Sequence, residues 1–248
     1  MSTVPGFAPD WPAPPNVRAW VTERGSAARY GTLNLATHVA DDPGSVHANR
    51  ARLRAALALP DEPRWLTQVH GTRVLDLDRE WAGEADGAVT ARVGTVCAVL
   101  TADCLPVLFC DRAGTRVGVA HAGWRGLARG VLGAAVAAMG RRPGELVAWL
   151  GPAIGQAAFE VGADVRDAFL AGSPAAERHF AANARGRWQA DLYGLARDAL
   201  AAAGVGAVHG GGFCTFTEAH RFFSHRREAP CGRMATLIWL EAPRAGRS

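Results

Sequence analysis

Residues 96–111, VCAVLTADCLPVLFCD, form a long apolar stretch that commits the chain to a buried core containing β structure. Pro106 interrupts the run and has no N–H to donate, so the stretch is either one strand with a bulge or two strand halves. A second strand-like segment, RVGVAHAG at 116–123, follows after the short loop DRAGT, and the pair reads as a hairpin. No apolar run reaches the ~18 residues that a membrane span needs.

The remaining elements arrange themselves around this hairpin. VRAWVTER at 17–24, ELVAWLG, VGAVHGGGFCT and GRMATLIWLE read as strands. WLTQVHG at 65–71 reads as a strand ending in a glycine turn, with TRVLDLD pairing beside it. Asp42 followed by Pro43 marks a helix start, continuing through SVHANRARLRAALAL. Helical spacing predicts a helix over 124–139, a short one in VGADVRDAFLAG, and another in DLYGLARDALAAAG closed by Gly204. Strands and helices mix without regular βα alternation. The expected class is therefore α+β, a single domain layered as an α-β-β-α sandwich with mixed sheets. The proline-rich residues 1–15 read as a flexible N-terminal arm, residues 16–242 as one catalytic domain, and the last six, PRAGRS, as a frayed tail. The start of the chain lacks a basic region followed by an apolar one, which points to a cytoplasmic protein.

Composition removes several chemistries. All 27 basic residues are Arg, because the chain has no Lys. Schiff-base mechanisms and a Walker A loop are thereby excluded. The Arg residues are scattered and read as a solvated surface rather than a nucleic-acid interface, although one or two suffice to bind an anionic substrate. The five Cys include no CxxC pair, so a disulfide framework is not expected.

Three segments place metal-ligating side chains at strand ends beside small residues: Gln68-Val69-His70-Gly71, Asp103-Cys104-Leu105 and Ala120-His121-Ala122-Gly123. Their spacing is too long for a zinc finger, but neighbouring strands can converge on one point. Two His and one Cys suit zinc, and three protein ligands leave a fourth position open, as in catalytic sites. The same residues also suit a metal-free Cys104–His121 nucleophile–base pair. Spacing does not separate the two.

The motifs LTQVHG, DGAVT, LTADCLPVLFCD, VGVAHAGWRGLARGVL, LGPAIG, FEVGADV and FFSHRR…GRMATLIWL resemble the laccase-domain family, also known as multicopper polyphenol oxidases or peptidoglycan editing factors. The resemblance runs from about Asn34 to Leu240. It implies zinc on His70, Cys104 and His121, with copper as a less favoured ion. It implies a purine nucleoside enzyme that cleaves adenosine, inosine, guanosine or methylthioadenosine with phosphate to base and ribose 1-phosphate, and deaminates adenosine. Its partners would be small molecules, not nucleic acid or membrane, and it would act as a monomer or homodimer. A copper polyphenol oxidase fits less well: a multicopper centre takes about ten His ligands, and the chain has eight His in all. The editing-factor name suggests another alternative, a Cys104 amidase removing a misincorporated amino acid from a cell-wall precursor. The usual zinc-deaminase signature, H-x-E with P-C-x-x-C, is absent.

Further residues acquire candidate roles, Asn34 and Arg50 with support from the same resemblance and the others from their positions beside the three segments. Asn34 either touches substrate or makes an Asx turn before His38. Arg50 either grips phosphate or lies on a solvated helix face. Gln68 should share a strand face with His70 and orient water or sugar. Asp103 either supports a ligating His or is a buried structural carboxylate. Arg125 opens the helix after His121, where phosphate can bind, or forms a surface ion pair; Trp124 reads as packing. His225 and Cys231 depart from the family pattern, which has Tyr or Phe and Thr there.

Overall fold

A computed structural model describes residues 4–81 and 83–242. In chain order the elements are β1 (Gly6–Phe7), β2 (Val17–Thr22), α1 (Pro43–Ala56), β3 (Arg64–Trp65), β4 (Val74–Asp76), β5 (Gly87–Thr90), β6 (Cys97–Thr101), β7 (Leu105–Asp111) and β8 (Val117–Ala122). There follow α2 (Trp124–Ala128), α3 (Val131–Met139), β9 (Leu146–Leu150), β10 (Glu160–Val161), α4 (Ala163–Gly172), β11 (Phe180–Ala182), β12 (Trp188–Ala190), α5 (Leu192–Ala202), β13 (Ala207–Gly210), α6 (His225–Glu228) and β14 (Met234–Leu240).

One sheet has the order β1-β2-β14-β6-β3, a second β13-β9-β7-β8-β5-β4, and a small third β10-β12-β11. Both large sheets are mixed, since β3–β6, β4–β5 and β13–β9 pair parallel within otherwise antiparallel ladders.

Alternation of side chains explains why the central strands are apolar at every position. In β7, Leu108 and Cys110 join Val17, Val99 and Ile238 of the other sheet in a core between the two sheets. Leu105, Val107 and Phe109 face the other way, into a core with Leu127, Leu132 and Leu195 from α2, α3 and α5. On the far side, Ala98 and Leu100 of β6 and Leu237 and Trp239 of β14 pack with Leu53 of α1. Three apolar layers between four layers of structure make the expected α+β, α-β-β-α sandwich in one domain.

The helix ends follow local chemistry. The Asp42 carboxylate accepts from the Ser45 N–H at 2.7 Å and Pro43 occupies the first turn of α1. Asp191 caps α5 in the same way.

Several expectations change. The apolar run 96–111 is two strands of different sheets, and it breaks at Ala102–Cys104 rather than at Pro106, which lies within β7. Asp103 turns the chain with φ of 86°. WLTQVHG is extended only at its start: β3 ends at Trp65 and a lone bridge joins Thr67 to Glu84. TRVLDLD pairs with β5, not with WLTQVHG. The helix expected over 124–139 divides into α2 and α3 at Gly130, whose φ of 93° is left-handed. Within the expected arm, β1 pairs with β2, Val4 is buried, and Phe7 packs against Trp149 and Phe213. Proline content marked this segment as non-helical; the apolar residues between the prolines dock it. The PRAGRS tail lies outside the described residues.

Leu108 is fully buried between the sheets. Leu108→Ala is expected to lower unfolding free energy by about 2–5 kcal/mol, read as a reduced urea midpoint at unchanged m-value. A loss below about 1 kcal/mol would contradict this packing.

Candidate metal centre

Cys104, His121 and His70 reach one point from a sheet crossover, the end of a strand and a turn. Cys104 sits where the chain passes from one sheet to the other. Its position depends on Asp103, whose left-handed backbone is costly for a residue with a Cβ. Surrounding groups hold that turn in place. The Asp103 carboxylate accepts from Thr215 Oγ1 at 2.6 Å, Ser224 Oγ at 3.1 Å and the Arg226 N–H at 2.7 Å, and its carbonyl accepts from the Ile154 N–H at 3.0 Å.

His121 lies near the end of β8, opposite Pro106 of β7. His70 is on a turn with φ of 58°. Asp86, just before β5, fixes both histidines. Its carboxylate accepts the N–H groups of Val69, His70 and Gly71 at 3.2, 2.9 and 2.6 Å, and it bonds His121 Nδ1 at 2.8 Å. Its carbonyl takes the His121 N–H at 2.6 Å. With Nδ1 committed to Asp86, His121 has Nε2 left to ligate, a common arrangement for metal-binding His.

The result is a cluster whose sulfur and nitrogen ligand atoms all lie within 4.8 Å of one another. Cys104 Sγ is 3.9 Å from His70 Nε2, and the two imidazoles meet edge to face with centroids 4.8 Å apart. These three residues can hold a metal ion. Gly123 leaves the room: a Cβ there would stand 2.9 Å from His70 Cδ2 and 3.0 Å from Cys104 Sγ.

The charges are coupled. Burial pushes the Cys104 thiol up, but the His121 charge and hydrogen bond, with His70, outweigh it and bring it down to about 6. Burial pushes His121 down, and the Cys104 thiolate and the Asp86 carboxylate outweigh it, raising the imidazole to about 9. These are two sides of one thiolate–imidazolium attraction. Burial likewise disfavours the Asp86 carboxylate, yet the hydrogen bonds from His121 and the 69–71 turn hold it below the ordinary value.

The cluster opens into a cleft of about 490 Å³. Of the residues expected around the site, Gln68, Asp103 and Arg125 line this cleft. Gln68 does so with its amide engaged: Oε1 accepts the Leu100 N–H at 2.7 Å and Nε2 donates to the Leu100 carbonyl at 2.9 Å. It ties the His70 segment to β6. Asp103 supports the crossover and not a histidine; Asp86 holds His121 instead. Arg125 is exposed at the start of α2, stacks 4.5 Å over Trp124, and makes no ion pair among the described residues.

Two residues expected at the site are placed elsewhere. Arg50 lines a separate groove along α1, stacks 4.2 Å over Trp65, and gives Nε and Nη2 to the Leu35 carbonyl at 2.9 and 2.8 Å. Asn34 is fully buried and makes the Asx turn, with Oδ1 accepting from the Ala36 N–H at 3.0 Å. Sequence reasoning missed Asp86, Arg226 and Arg233. DGAVT, with an acid directly before a strand of small and β-branched residues, was the available signal for Asp86. The two arginines lie in the quoted FFSHRR and GRMATLIWL segments, but nothing local pointed them to this cleft, which they enter from a distant part of the chain.

The fold and site together define a single-domain α+β protein with a His–Cys–His cluster at a sheet crossover. The chain matches the family model for multi-copper polyphenol oxidoreductase laccase over residues 18–241 and belongs to that family. It is 54% identical to purine nucleoside phosphorylase PA4543 of Pseudomonas aeruginosa, over 95% of this chain and 98% of that protein. It is 51% identical to purine nucleoside phosphorylase YfiH of Escherichia coli, over 94% and 98%. The crystal structure of Neisseria meningitidis protein NMB0706, of family DUF152, matches with a TM-score of 0.91 at 48% identity, over 96% of this chain and 99% of that one. No helix among the described residues is long and apolar enough to cross a membrane.

Asp86→Ala removes the acceptor of four hydrogen bonds at a buried position. It should weaken metal binding about 10–100-fold and destabilise the fold by about 3–5 kcal/mol, read by metal-chelator competition and by urea unfolding. Wild-type metal affinity in that variant would refute its positioning role. Gly123→Ala should weaken metal binding by crowding His70 and Cys104, while adding nothing to the polar network.

Proposed function

We propose that this chain is a zinc-dependent purine nucleoside phosphorylase that cleaves adenosine, inosine, guanosine or methylthioadenosine, and that it also deaminates adenosine. The observation that carries the reading is the His70–Cys104–His121 cluster facing an open, arginine-lined cleft. The names of the relatives support the substrate class.

The donor set fits zinc. Tetrahedral bonds of ~2.3 Å to sulfur and ~2.05 Å to nitrogen put the two ligand atoms roughly 3.6 Å apart, close to the 3.9 Å between Cys104 Sγ and His70 Nε2. The neighbouring histidines hold the Cys104 thiol below its ordinary range, which favours the thiolate form that a metal takes. An ion held there would supply Lewis acidity beside the polar groups of the substrate. Copper suits the same ligands, but the described residues gather one cluster of this kind, not the several that a multicopper oxidase uses.

The protein's own groups supply binding and charge control. Trp124 and Phe159 offer aromatic surface for the purine. Arginines of the cleft neutralise phosphate as its oxygen forms the bond to C1′ of the ribose. The bond from C1′ to the purine nitrogen breaks, its electron pair stays on the base, and the base takes up a proton. In deamination, water adds at C6 and ammonia leaves. Gln68, locked to Leu100, and Asp86, locked to His121, keep the floor of the cleft from rearranging. On this reading the enzyme acts on small molecules in the cytoplasm, as a monomer or homodimer.

One observation favours a second reading. Asp86, His121 and Cys104 stand in the order of an acid–base–nucleophile relay, which fits a Cys104 amidase. Purified protein should carry one zinc per chain and convert adenosine plus phosphate to adenine and ribose 1-phosphate. Chelation should abolish that turnover and zinc should restore it. Full activity in the metal-free protein would overturn the zinc reading, and an acyl group trapped on Cys104 would establish the second.

A further inference from the structure

The arginines of the cleft are not equivalent. Arg125 is exposed and stacks on its own neighbour, Trp124. Arg226 is exposed and spends Nη1 on the Glu160 carbonyl at 3.0 Å. Arg233 is half-buried and its guanidinium is clamped by one corner. Its Nη1 donates to the Cys231 carbonyl at 2.7 Å, the Gly232 carbonyl at 3.1 Å and Cys231 Sγ at 3.5 Å. Among the described residues no acceptor meets its Nε or Nη2. A guanidinium held this way presents a preformed two-donor edge, the shape that matches a phosphate or carboxylate.

Its mounting is also built. The Arg233 N–H donates to Asn34 Oδ1 at 3.0 Å, and Asn34 is fully buried. The Asn34 amide further binds the Ala36 carbonyl at 3.2 Å and Asp41 Oδ2 at 2.9 Å, which shapes the loop that carries His38 into the same cleft. Among the described residues the one carboxylate lining the cleft is Asp103, and Thr215, Ser224 and the Arg226 N–H take both of its oxygens. Arg233 thus lines the cleft with Nε and Nη2 unspent and, among the described residues, without a counter-ion.

We propose that Arg233, mounted on Asn34 and flanked by His38, is the phosphate subsite of the cleft. The ligand chemistry is a phosphate dianion, either free inorganic phosphate or the 5′-phosphate of a nucleotide. The assignment rests on reading the cleft as a phosphate-using site, but direct binding tests it apart from turnover. Asn34 acts here as a positioning residue, which explains why an asparagine expected to touch substrate is buried behind the cleft.

The test is calorimetric titration of inorganic phosphate, and separately of adenosine 5′-monophosphate, into the full-length protein. The variants are Arg233→Met, Arg233→Lys and, as a charge control outside the cleft, Arg129→Met. Arg233→Met should weaken binding about 10–100-fold. Arg233→Lys, which keeps the charge and loses the fork, should fall between it and wild type, and it also serves if the Met variant folds poorly. Arg129→Met should stay within about twofold of wild type. If only inorganic phosphate depends on Arg233, the subsite serves the free ion. If the monophosphate also depends on Arg233 and competes with phosphate, the subsite holds a nucleotide's phosphate. Equal binding by wild type and both Arg233 variants, or no binding of either ligand to wild type, overturns the assignment. Arg233-dependent phosphate binding without any phosphorolysis would leave the subsite standing and overturn the proposed reaction.

Discussion

The Asp86 carboxylate is buried in the protein interior and accepts four hydrogen bonds, three from the consecutive N–H groups of Val69, His70 and Gly71 and one from His121. An ionised carboxylate in such a place is costly unless its lone pairs are satisfied. Here the satisfaction comes from the two histidines' own supports, so the group that would destabilise the fold alone instead joins its parts. The turn that carries His70 has no ladder to hold it, since its strand ends at Trp65. Asp86 replaces that ladder with a charged acceptor. The site is therefore tied to the sheets on which it is built, although His70 stands on a turn.

The second constraint is the crossover at Ala102–Cys104. Two strongly apolar strands belong to different sheets and must be joined by three residues, which forces a left-handed turn at Asp103. Glycine would make that turn more easily. An aspartate makes it because Thr215, Ser224 and the Arg226 N–H gather on its carboxylate. That exchange links the crossover to the 213–230 segment, which forms one wall of the cleft. The same segment is stapled from behind by the buried Arg24, whose guanidinium meets Glu228 at 2.9 Å, and by Arg227, which donates to the carbonyls of Thr215, Phe216 and Phe222. Backbone strain, a buried ion pair and the position of Cys104 are parts of one arrangement.

This chain, which has no lysine, uses arginine for two unlike purposes. Arg24, Arg50 and Arg227 spend their donors on backbone carbonyls inside the fold, a task for which a planar fork with five donors is suited. Arg125, Arg226 and Arg233 line the cleft, make no ion pair among the described residues, and bring positive charge to it. Composition alone cannot sort the two groups. Arg50 shows why: on a helix face it looks free, but the Leu35 carbonyl and the Trp65 ring take it up.

The sequence by itself determined the α+β class, the β7–β8 hairpin and the Asp42 cap of α1, and its motifs named His70, Cys104 and His121 as the candidate metal-ligating set. Each of these is written in local periodicity, in a capping pair, or in a short motif whose side chains act together. It did not determine which sheet each half of the apolar run joins, because strands buried on both faces carry no alternation to distinguish them. Nor could it show that Asp86 rather than Asp103 supports His121, that Asn34 is buried beneath the Arg233 backbone, or that Arg233 lines the cleft. Those roles depend on contacts between residues far apart in the chain: Asp86 with His121, Asp103 with Thr215 and Ser224, Asn34 with Arg233. A buried polar group is satisfied by whatever the packed chain brings to it, and only the packing of the two sheets against each other decides what that is.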